Sequence, residues 1–286
     1  MIKEIKVGIL GGSGLYQLEG LENITSLKID TPFGHPSDEI TIGVINDTSV
    51  AFLPRHGKGH RIMPTEINVK ANIYALKSLG VEKIISISAV GSLKEEVRPL
   101  DILIPDQIID QTRFRTLSFF GNGVVAHVGM ASPYCSTLNK IIYQACQELN
   151  YDTHDGGTYL CIEGPQFSTK AESRSYRLLG ADIIGMTAIP EAKLAREAEI
   201  CYSTMAMVTD YDVWHESGEV TIEMVINNLN KNIEKAKNIL KEIIPQVANT
   251  SYCSCQNALK DAIITPSHLI PEKTKEKLQF LLKRYL

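Results

Sequence analysis

The sequence lacks any hydrophobic run long enough to cross a membrane, because no apolar stretch approaches the ~20 residues that a spanning helix requires. Residues 1–6 also lack the long apolar segment that is typical of a secretory signal. We therefore expect no membrane partner, and we predict that the protein is cytoplasmic.

An excess of basic residues is also missing. The chain has 29 Lys and Arg residues against 33 Asp and Glu residues, which gives a formal net charge of −4. Proteins that are held to nucleic acid by bulk electrostatics need a concentration of positive charge. We predict no nucleic-acid partner, and an anionic ligand must be held by a local group of side chains.

Cysteine is scarce for a disulfide scaffold, since there are six in 286 residues, and the sequence alone cannot pair them. Two of them, Cys253 and Cys255, lie in a polar segment where a small buried hydrophobic side chain is not needed. This placement is unusual for a protein of a reducing compartment.

The remaining composition is that of a globular protein, with 44% hydrophobic and 22% charged residues. Short β-branched runs alternate with helical patterns, which predicts an α/β fold with a mixed central sheet flanked by helices. We predict strands over 6–10, 40–44, 50–53, 83–88, 101–104, 159–162, 183–185 and 201–208, and helices over 66–79, 138–149, 170–179, 190–200 and 221–244. Because the composition turns polar after Pro245, we predict one domain over residues 1–246 and a tail over residues 247–286 with an amphipathic segment, 272–285.

Two glycine-containing loops could hold an anion. Gly11-Gly12-Ser13-Gly14 follows the first predicted strand, and its glycines allow backbone N–H groups to approach a ligand closely. A tight turn without a ligand fits this loop equally well, whereas a dinucleotide site is disfavoured because Gln17 stands where a third glycine is needed. The second loop, residues 55–61, follows the strand predicted over 50–53. Its Arg55 can donate two hydrogen bonds to a phosphate and His56 lies beside it, although a solvated basic loop remains an alternative.

A metal site in the second loop is disfavoured. His56 and His60 have the spacing of two ligands on one helical turn, but Gly57 and Gly59 oppose a helix there. We predict no bound metal.

Polar residues also follow two buried strands. Ser88 and Ala89 lie at the carboxyl end of a predicted strand, which is where ligands bind in open α/β sheets. Asp210 and Asp212 follow another strand, and residues two apart in a strand share a face. Two buried carboxyl groups this close cannot both ionise easily, so one can hold a proton for donation. A simple strand-to-turn junction and a pair of turn-capping aspartates remain the alternatives.

Seven motifs occur in order over residues 5–246. They are Gly11-Gly12-Ser13-Gly14-Leu15, Thr31-Pro32-Phe33-Gly34, Arg55-His56-Gly57, Ser88-Ala89-Val90-Gly91-Ser92, Glu163-Gly164-Pro165, Gly185-Met186-Thr187 and Thr209-Asp210-Tyr211-Asp212. Together they resemble the 5′-methylthioadenosine phosphorylases, which belong to the trimeric branch of the purine nucleoside phosphorylases. The Cys-Ser-Cys tail resembles that of the archaeal thermophilic members.

The resemblance implies a nucleoside phosphorylase fold and phosphorolysis of 5′-methylthioadenosine to adenine and 5-methylthioribose 1-phosphate. Its partners would be the nucleoside and phosphate, with no metal or organic cofactor, in a trimer or a dimer of trimers. The implied roles are phosphate binding by Ser13, Arg55, His56, Ser88, Ala89 and Thr187, base or ribose binding by Phe167, Met186 and Thr209, and catalysis by Asp210 and Asp212.

The resemblance further implies a pocket for the 5′ substituent formed by Ile222, Val225 and, from a neighbouring subunit, His127. It also implies disulfides that pair Cys135 with Cys201 and Cys253 with Cys255. Two alternatives remain, namely a broader purine nucleoside phosphorylase and a non-catalytic nucleoside-binding protein.

Overall fold

The computed structural model describes residues 4–12, 15, 18–215 and 221–286, and it leaves the side chains of Ile222 and Met224 undescribed. Within this part of the chain, strands and helices form the mixed α/β fold that the sequence predicts. The strands are β1 (Val7–Gly11), β2 (Glu22–Leu27), β3 (Ile40–Ile45), β4 (Thr48–Pro54), β5 (Lys83–Ser92), β6 (Ile102–Ile104), β7 (Gln107–Gln111), β8 (Thr153–Asp155), β9 (Thr158–Ile162), β10 (Ile183–Gly185) and β11 (Cys201–Asp210).

All eight predicted strands are present, and three strands were missed. The edge strand β2 is almost fully exposed, so it shows no alternation of apolar and polar residues. Strand β7 is only partly buried, and β8 contains three residues. These strands form by pairing with neighbours, and their own sequences carry little β signal.

The described helices are α1 (Val69–Ser78), α2 (Ser136–Glu148), α3 (Lys170–Leu178), α4 (Ala188–Glu197), α5 (Ile222–Ala248), α6 (Glu272–Lys277) and α7 (Gln279–Leu282). Helix α5 continues through Pro245, beyond the predicted end at residue 244. The amphipathic segment 272–285 contains two short helices. In the described part of the chain, no helix combines the length and the apolar character needed to span a bilayer.

Strand β5 organises the centre of the sheet. On one side it pairs in parallel with β11 along most of its length. On the other side it pairs with β1 over Lys83–Ser86 and with β10 over Gly91–Ser92. The sheet therefore divides beside residues 87–90, near the carboxyl ends of β1, β5 and β11, and we call the gap between β1 and β10 the cleft.

Two helical layers cover the sheet. Helices α2 and α5 contribute to one of the two largest apolar clusters, and α1 and α4 contribute to the second. The segment after α5 joins both clusters, because Cys255 lies in the first cluster while Ile270, Leu278 and Leu282 lie in the second. Residues 247–286 thus pack on the same core as the residues before them.

The predicted disulfides are wrong, since the described cysteines are free thiols. The sulfur atoms of Cys135, Cys201, Cys253 and Cys255 gather in one cluster and do not form two bonded pairs. Cys135 Sγ lies 3.6 Å from Cys253 Sγ, which is far longer than the ~2.05 Å of a disulfide bond.

Candidate active site

A pair of hydroxyl groups lies where the sheet divides. Ser88 Oγ, on β5, is 2.9 Å from Oγ1 of Thr187, the residue before α4, and 3.1 Å from the Tyr159 hydroxyl. Ala89 follows as the only exposed residue of its buried strand. The structure therefore brings together Ser88 and Thr187, which belong to two separate sequence motifs, and it leaves Ala89 exposed beside them.

A buried ion pair contacts the preceding residues of β5. Arg55 follows β4 and donates from Nε to Glu191 Oε1 (2.6 Å) and from Nη2 to Glu191 Oε2 (3.0 Å). Arg55 also donates from Nη1 to the Ile87 carbonyl and from Nη2 to Ser86 Oγ, while the Tyr202 hydroxyl donates to Glu191. Burial acts to lower the pKa of Arg55, but the Glu191 carboxylate outweighs it and raises that pKa. Arg55 is thus a fixed positive charge. Its Nη1 donates to one protein acceptor, the Ile87 carbonyl.

The His56 ring is neutral near pH 7. Burial and the adjacent Arg55 charge lower the pKa of His56 to about 4. Its Nδ1 lies 2.8 Å from the Ile62 carbonyl, so in the neutral ring Nδ1 carries the hydrogen and Nε2 is an acceptor. The ring also stacks on His60 with centroids 4.2 Å apart. We call Arg55, His56, Ser88, Thr187 and Glu191 the cation end of the site.

Two carboxyl groups lie at the end of β11. A register shift between Val208 and Asp210 turns the strand, and Asp212 has a left-handed φ of 52°. The Asp212 N–H donates to Asp210 Oδ1 (2.8 Å), and Thr209 Oγ1 donates to Asp210 Oδ2 (2.7 Å). A Cβ atom at Gly91 would lie only 2.8 Å from Asp210 Oδ1, so a larger residue on the paired strand would displace the Asp210 side chain.

Burial raises the pKa of both carboxyl groups. The Asp212 charge raises the pKa of Asp210 further, whereas its two hydrogen bonds act against this increase. Nearby Ser173 and Ser168 hydroxyls act against the increase at Asp212. No hydrogen bond of normal geometry reaches the buried Asp212 Oδ2 among the described residues, and the nearby Ser168 and Ser173 hydroxyls are likewise buried without a partner. We call Thr209, Asp210 and Asp212 the carboxyl end; it retains an acceptor atom for a ligand.

The two ends belong to the same cleft. Gly91, which pairs with Asp210, is three residues beyond Ser88 on β5. At the ~3.3 Å rise per residue of a parallel strand, this separation is roughly 10 Å. An elongated ligand could therefore contact the hydroxyls at one end and the carboxyl groups at the other.

Comparison with known proteins identifies the family. Residues 6–245 match the family model described as the phosphorylase superfamily. The chain belongs to the phosphorylase superfamily. It is 51% identical to the S-methyl-5′-thioadenosine phosphorylase of Geobacter sulfurreducens, with 98% of this chain and 99% of that protein covered. It is 53% identical to the Saccharolobus solfataricus enzyme of the same name, with 92% and 98% covered.

A solved structure agrees with this assignment. A methylthioadenosine phosphorylase from an antarctic soil metagenomic library superimposes with a TM-score of 0.93 at 49% sequence identity. The alignment covers 98% of this chain and 100% of that one. The resemblance to this phosphorylase family, including its archaeal members, is therefore confirmed.

The remaining predicted site residues of this phosphorylase-superfamily chain are less enclosed. Met186 is half-buried beside Gly164, whereas the Phe167 side chain is 52% exposed. Val225 is half-buried near the start of α5. The His127 residue is exposed, and its backbone N–H donates to the Ala262 carbonyl. Their assigned roles stay predictions.

Two further predicted residues lie outside the described part of the chain. Ser13 is among the undescribed residues, and so is the side chain of Ile222. Phosphate binding by Ser13 and a role for Ile222 in the 5′ pocket therefore also stay predictions.

Sequence reasoning missed the residues that hold the site in place. Arg115 pairs with Glu163 and donates to the carbonyls of Met186 and Ile189, so it joins the loops after β9 and β10. Glu191 was given no role from the sequence. A buried Arg55 needs a carboxylate partner, and this requirement could have indicated that one exists. The spacing in the sequence does not show which Asp or Glu residue is that partner.

Proposed function

We propose that the protein catalyses phosphorolysis of 5′-methylthioadenosine to adenine and 5-methylthioribose 1-phosphate. A phosphate oxygen forms a bond to C1′, and the bond between C1′ and purine N9 breaks. The electron pair passes to the purine, which takes up a proton at N7. The observation that carries the proposal is the buried carboxyl pair with one unpartnered oxygen at the end of β11.

The carboxyl end matches the polar edge of adenine. Burial favours a protonated Asp210, which can donate a hydrogen to N7 as charge develops on the departing base. The free Oδ2 of Asp212 can accept a hydrogen bond from the 6-amino group. A 6-oxopurine presents an acceptor at this position, so the pair favours adenine.

The cation end matches phosphate. Ser88 and Thr187 provide hydroxyl donors, and the buried Arg55 guanidinium supplies a positive field. The neutral His56 can accept a hydrogen bond through Nε2 from a protonated phosphate oxygen. Glu191 holds Arg55 in place, so we assign it a positioning role.

We also propose that a neighbouring copy completes the 5′ pocket, in the predicted trimer or dimer of trimers. Val225 and Leu229, one turn apart, are only half-buried, so the first turns of α5 keep an apolar surface that the described residues do not fully cover. The exposed His127 is available to a neighbour. Sedimentation equilibrium measures the assembly, and a monomer that is active at all concentrations would contradict it. The cytoplasmic location and the independence from cofactors stay predictions.

Purified protein tests the proposed reaction when it is supplied with phosphate and, in turn, methylthioadenosine, adenosine, inosine and guanosine. We expect base release to be fastest with methylthioadenosine and to stop when phosphate is left out. Faster turnover of inosine would indicate a broader purine nucleoside phosphorylase. Nucleoside binding without base release from any substrate would indicate a non-catalytic protein.

A further inference from the structure

Four cysteine sulfurs lie together on the side of the sheet that α2 and α5 cover. The Sγ atoms of Cys135, Cys201, Cys253 and Cys255 all lie within 4.8 Å of one another. Three of these residues are buried, and Cys253 is half-buried. In the described part of the chain, this is the one group of three or more potential metal ligands drawn from His, Cys, Asp and Glu.

The spacing of these sulfurs fits a tetrahedral thiolate site. Zinc binds cysteine sulfur at about 2.3 Å, so a tetrahedron of four sulfurs has edges of roughly 3.8 Å. The 3.6 Å between Cys135 Sγ and Cys253 Sγ already matches such an edge. The longest separations would shorten by about 1 Å, which small side-chain rotations can supply.

The ligands come from three parts of the fold. Cys135 is the residue before α2, and Cys201 is the first residue of β11. Cys253 and Cys255 lie in the tail, at the start of a short 3-10 turn, Ser254–Asn257. A single ion on these four sulfurs would therefore link the tail to the sheet and to a helix that covers it.

The surroundings favour negative charge on the sulfurs. Arg196 Nη1 lies 3.5 Å from Cys255 Sγ, and Cys135 occupies the N-cap position of the 13-residue helix α2. A divalent cation with four thiolates carries two net negative charges, so a nearby guanidinium and a helix N-terminus both offset part of that charge.

We propose that Cys135, Cys201, Cys253 and Cys255 bind one thiophilic divalent cation of the zinc class. The site replaces the predicted disulfides, and it departs from the prediction that the protein binds no metal. It is separate from the cleft, so its metal holds the tail in place and takes no part in phosphorolysis. The proposal does not depend on the proposed function.

The first test measures metal content. Full-length protein is produced with zinc in the medium, purified anaerobically without chelators, and analysed by elemental mass spectrometry. We expect about one zinc per chain in the wild type. The double variant Cys253→Ser/Cys255→Ser should lose the metal. The matched control Cys146→Ser should keep it, because Cys146 is a buried cysteine of α2 that lies outside the cluster.

The second test needs no variant, so it remains decisive if the double variant fails to fold. Metal-free reduced protein is titrated with Co²⁺, and tetrahedral thiolate ligation should give intense sulfur-to-cobalt charge-transfer absorption that saturates at one equivalent. Zinc should then displace the cobalt and protect the tail from limited proteolysis.

Three results would overturn the proposal. The first is disulfide formation among these cysteines in the anaerobically purified protein, seen as a loss of two hydrogens from the intact mass for each bond. The second is a fully reduced protein that takes up neither zinc nor cobalt. The third is metal that the double variant retains, which would place the ion elsewhere.

Discussion

At the cation end of the cleft, the polar groups mostly satisfy one another: Arg55 and Glu191 are each about 2% exposed and form several hydrogen bonds within the protein. At the carboxyl end, Asp210 and Asp212 are also buried, yet one oxygen of Asp212 has no partner among the described residues. Both regions lie at the carboxyl edge of the same sheet. At the cation end the polar atoms form hydrogen bonds within the protein, whereas at the carboxyl end one acceptor atom is available to a ligand.

This difference separates stability from function. A buried ion pair that loses one partner leaves an uncompensated charge, so the cation end should be sensitive in the fold itself. Buried carboxyl groups with raised pKa values make folding less favourable at neutral pH, so their replacement should not destabilise the protein. The carboxyl end therefore trades stability for activity.

The largest expected effect is the loss of activity in Asp210→Asn. Asparagine keeps the size of the side chain but cannot provide the acidic proton for N7, so kcat/KM for methylthioadenosine should fall by about 10²- to 10⁴-fold. The melting temperature should stay the same or rise, because a carboxyl group with a raised pKa has been removed. Steady-state kinetics and thermal unfolding measure both.

Asp182→Asn is the matched control for this variant. Asp182 is 8% exposed and lies just before β10, where it pairs with Lys94 and accepts from the Thr158 N–H. We expect this control to lower the melting temperature and to leave kcat/KM unchanged. Near-wild-type kinetics in Asp210→Asn would remove the role assigned to Asp210.

At the cation end, Glu191→Ala should mainly affect stability. It leaves the buried Arg55 charge without a partner, which should lower the free energy of unfolding by about 3–5 kcal/mol. The matched control is Glu197→Ala in the same helix, because the buried Glu197 accepts from the neutral Ser118 hydroxyl and the Phe119 N–H. Its loss should cost about 1–3 kcal/mol.

Urea denaturation measures the difference between these two variants. Equal destabilisation by Glu191→Ala and Glu197→Ala would show that an unpaired Arg55 charge adds nothing to the loss of a buried hydrogen-bond acceptor. Glu191→Gln, which keeps an acceptor for Arg55, should fall between Glu191→Ala and the wild type.

The pH dependence of stability tests the cation end by a smaller effect. His56 has a pKa of about 4 in the folded protein and 6.5 as its ordinary value, so the unfolded chain binds its proton first as the pH falls. The contribution of the neutral His56 ring to the free energy of unfolding is therefore fully present above pH 6.5 and is lost as the pH falls toward 4. Between pH 6.5 and 5, the wild type should lose about 1.5 kcal/mol more than His56→Gln. Parallel curves would contradict a buried, neutral His56.

Much of the fold could be predicted from the sequence, because buried strands such as β5 and β11 are rich in apolar and β-branched residues. Elements that depend on their neighbours could not. Strand β2 is exposed and forms as an edge beside β3, and α5 passes through Pro245 because the buried residues Ile243, Ile244 and Val247 keep its last turns on the core.

The candidate site shows the same limit. Residue type and position at strand ends indicated Ser88 and Asp210, because the carboxyl edge of an α/β sheet is where ligands bind. The partners of those residues come from distant segments, such as Glu191, which lies 136 residues from Arg55. The cysteines show that residues can lie close together without forming the expected bonds. The four cysteines predicted to form two disulfides are close in space, but their sulfurs form one cluster of four thiols.

The smallest expected effect tests whether the carboxyl end extends to a 5′ pocket at α5. Val225→Ala removes two methyl groups from a half-buried position, so it should weaken recognition of a methylthio group by about 1 kcal/mol. The ratio of kcat/KM for methylthioadenosine to that for adenosine should then fall about fivefold, because adenosine carries a hydroxyl group there. The neighbouring Ile226→Ala is the matched control, and we expect it to leave the ratio unchanged because its side chain is 50% exposed on another face of the helix. An unchanged ratio in Val225→Ala, with the oligomer intact in both variants, would place the 5′ pocket away from Val225 and confine the ligand-binding surface to the residues at the ends of β5 and β11.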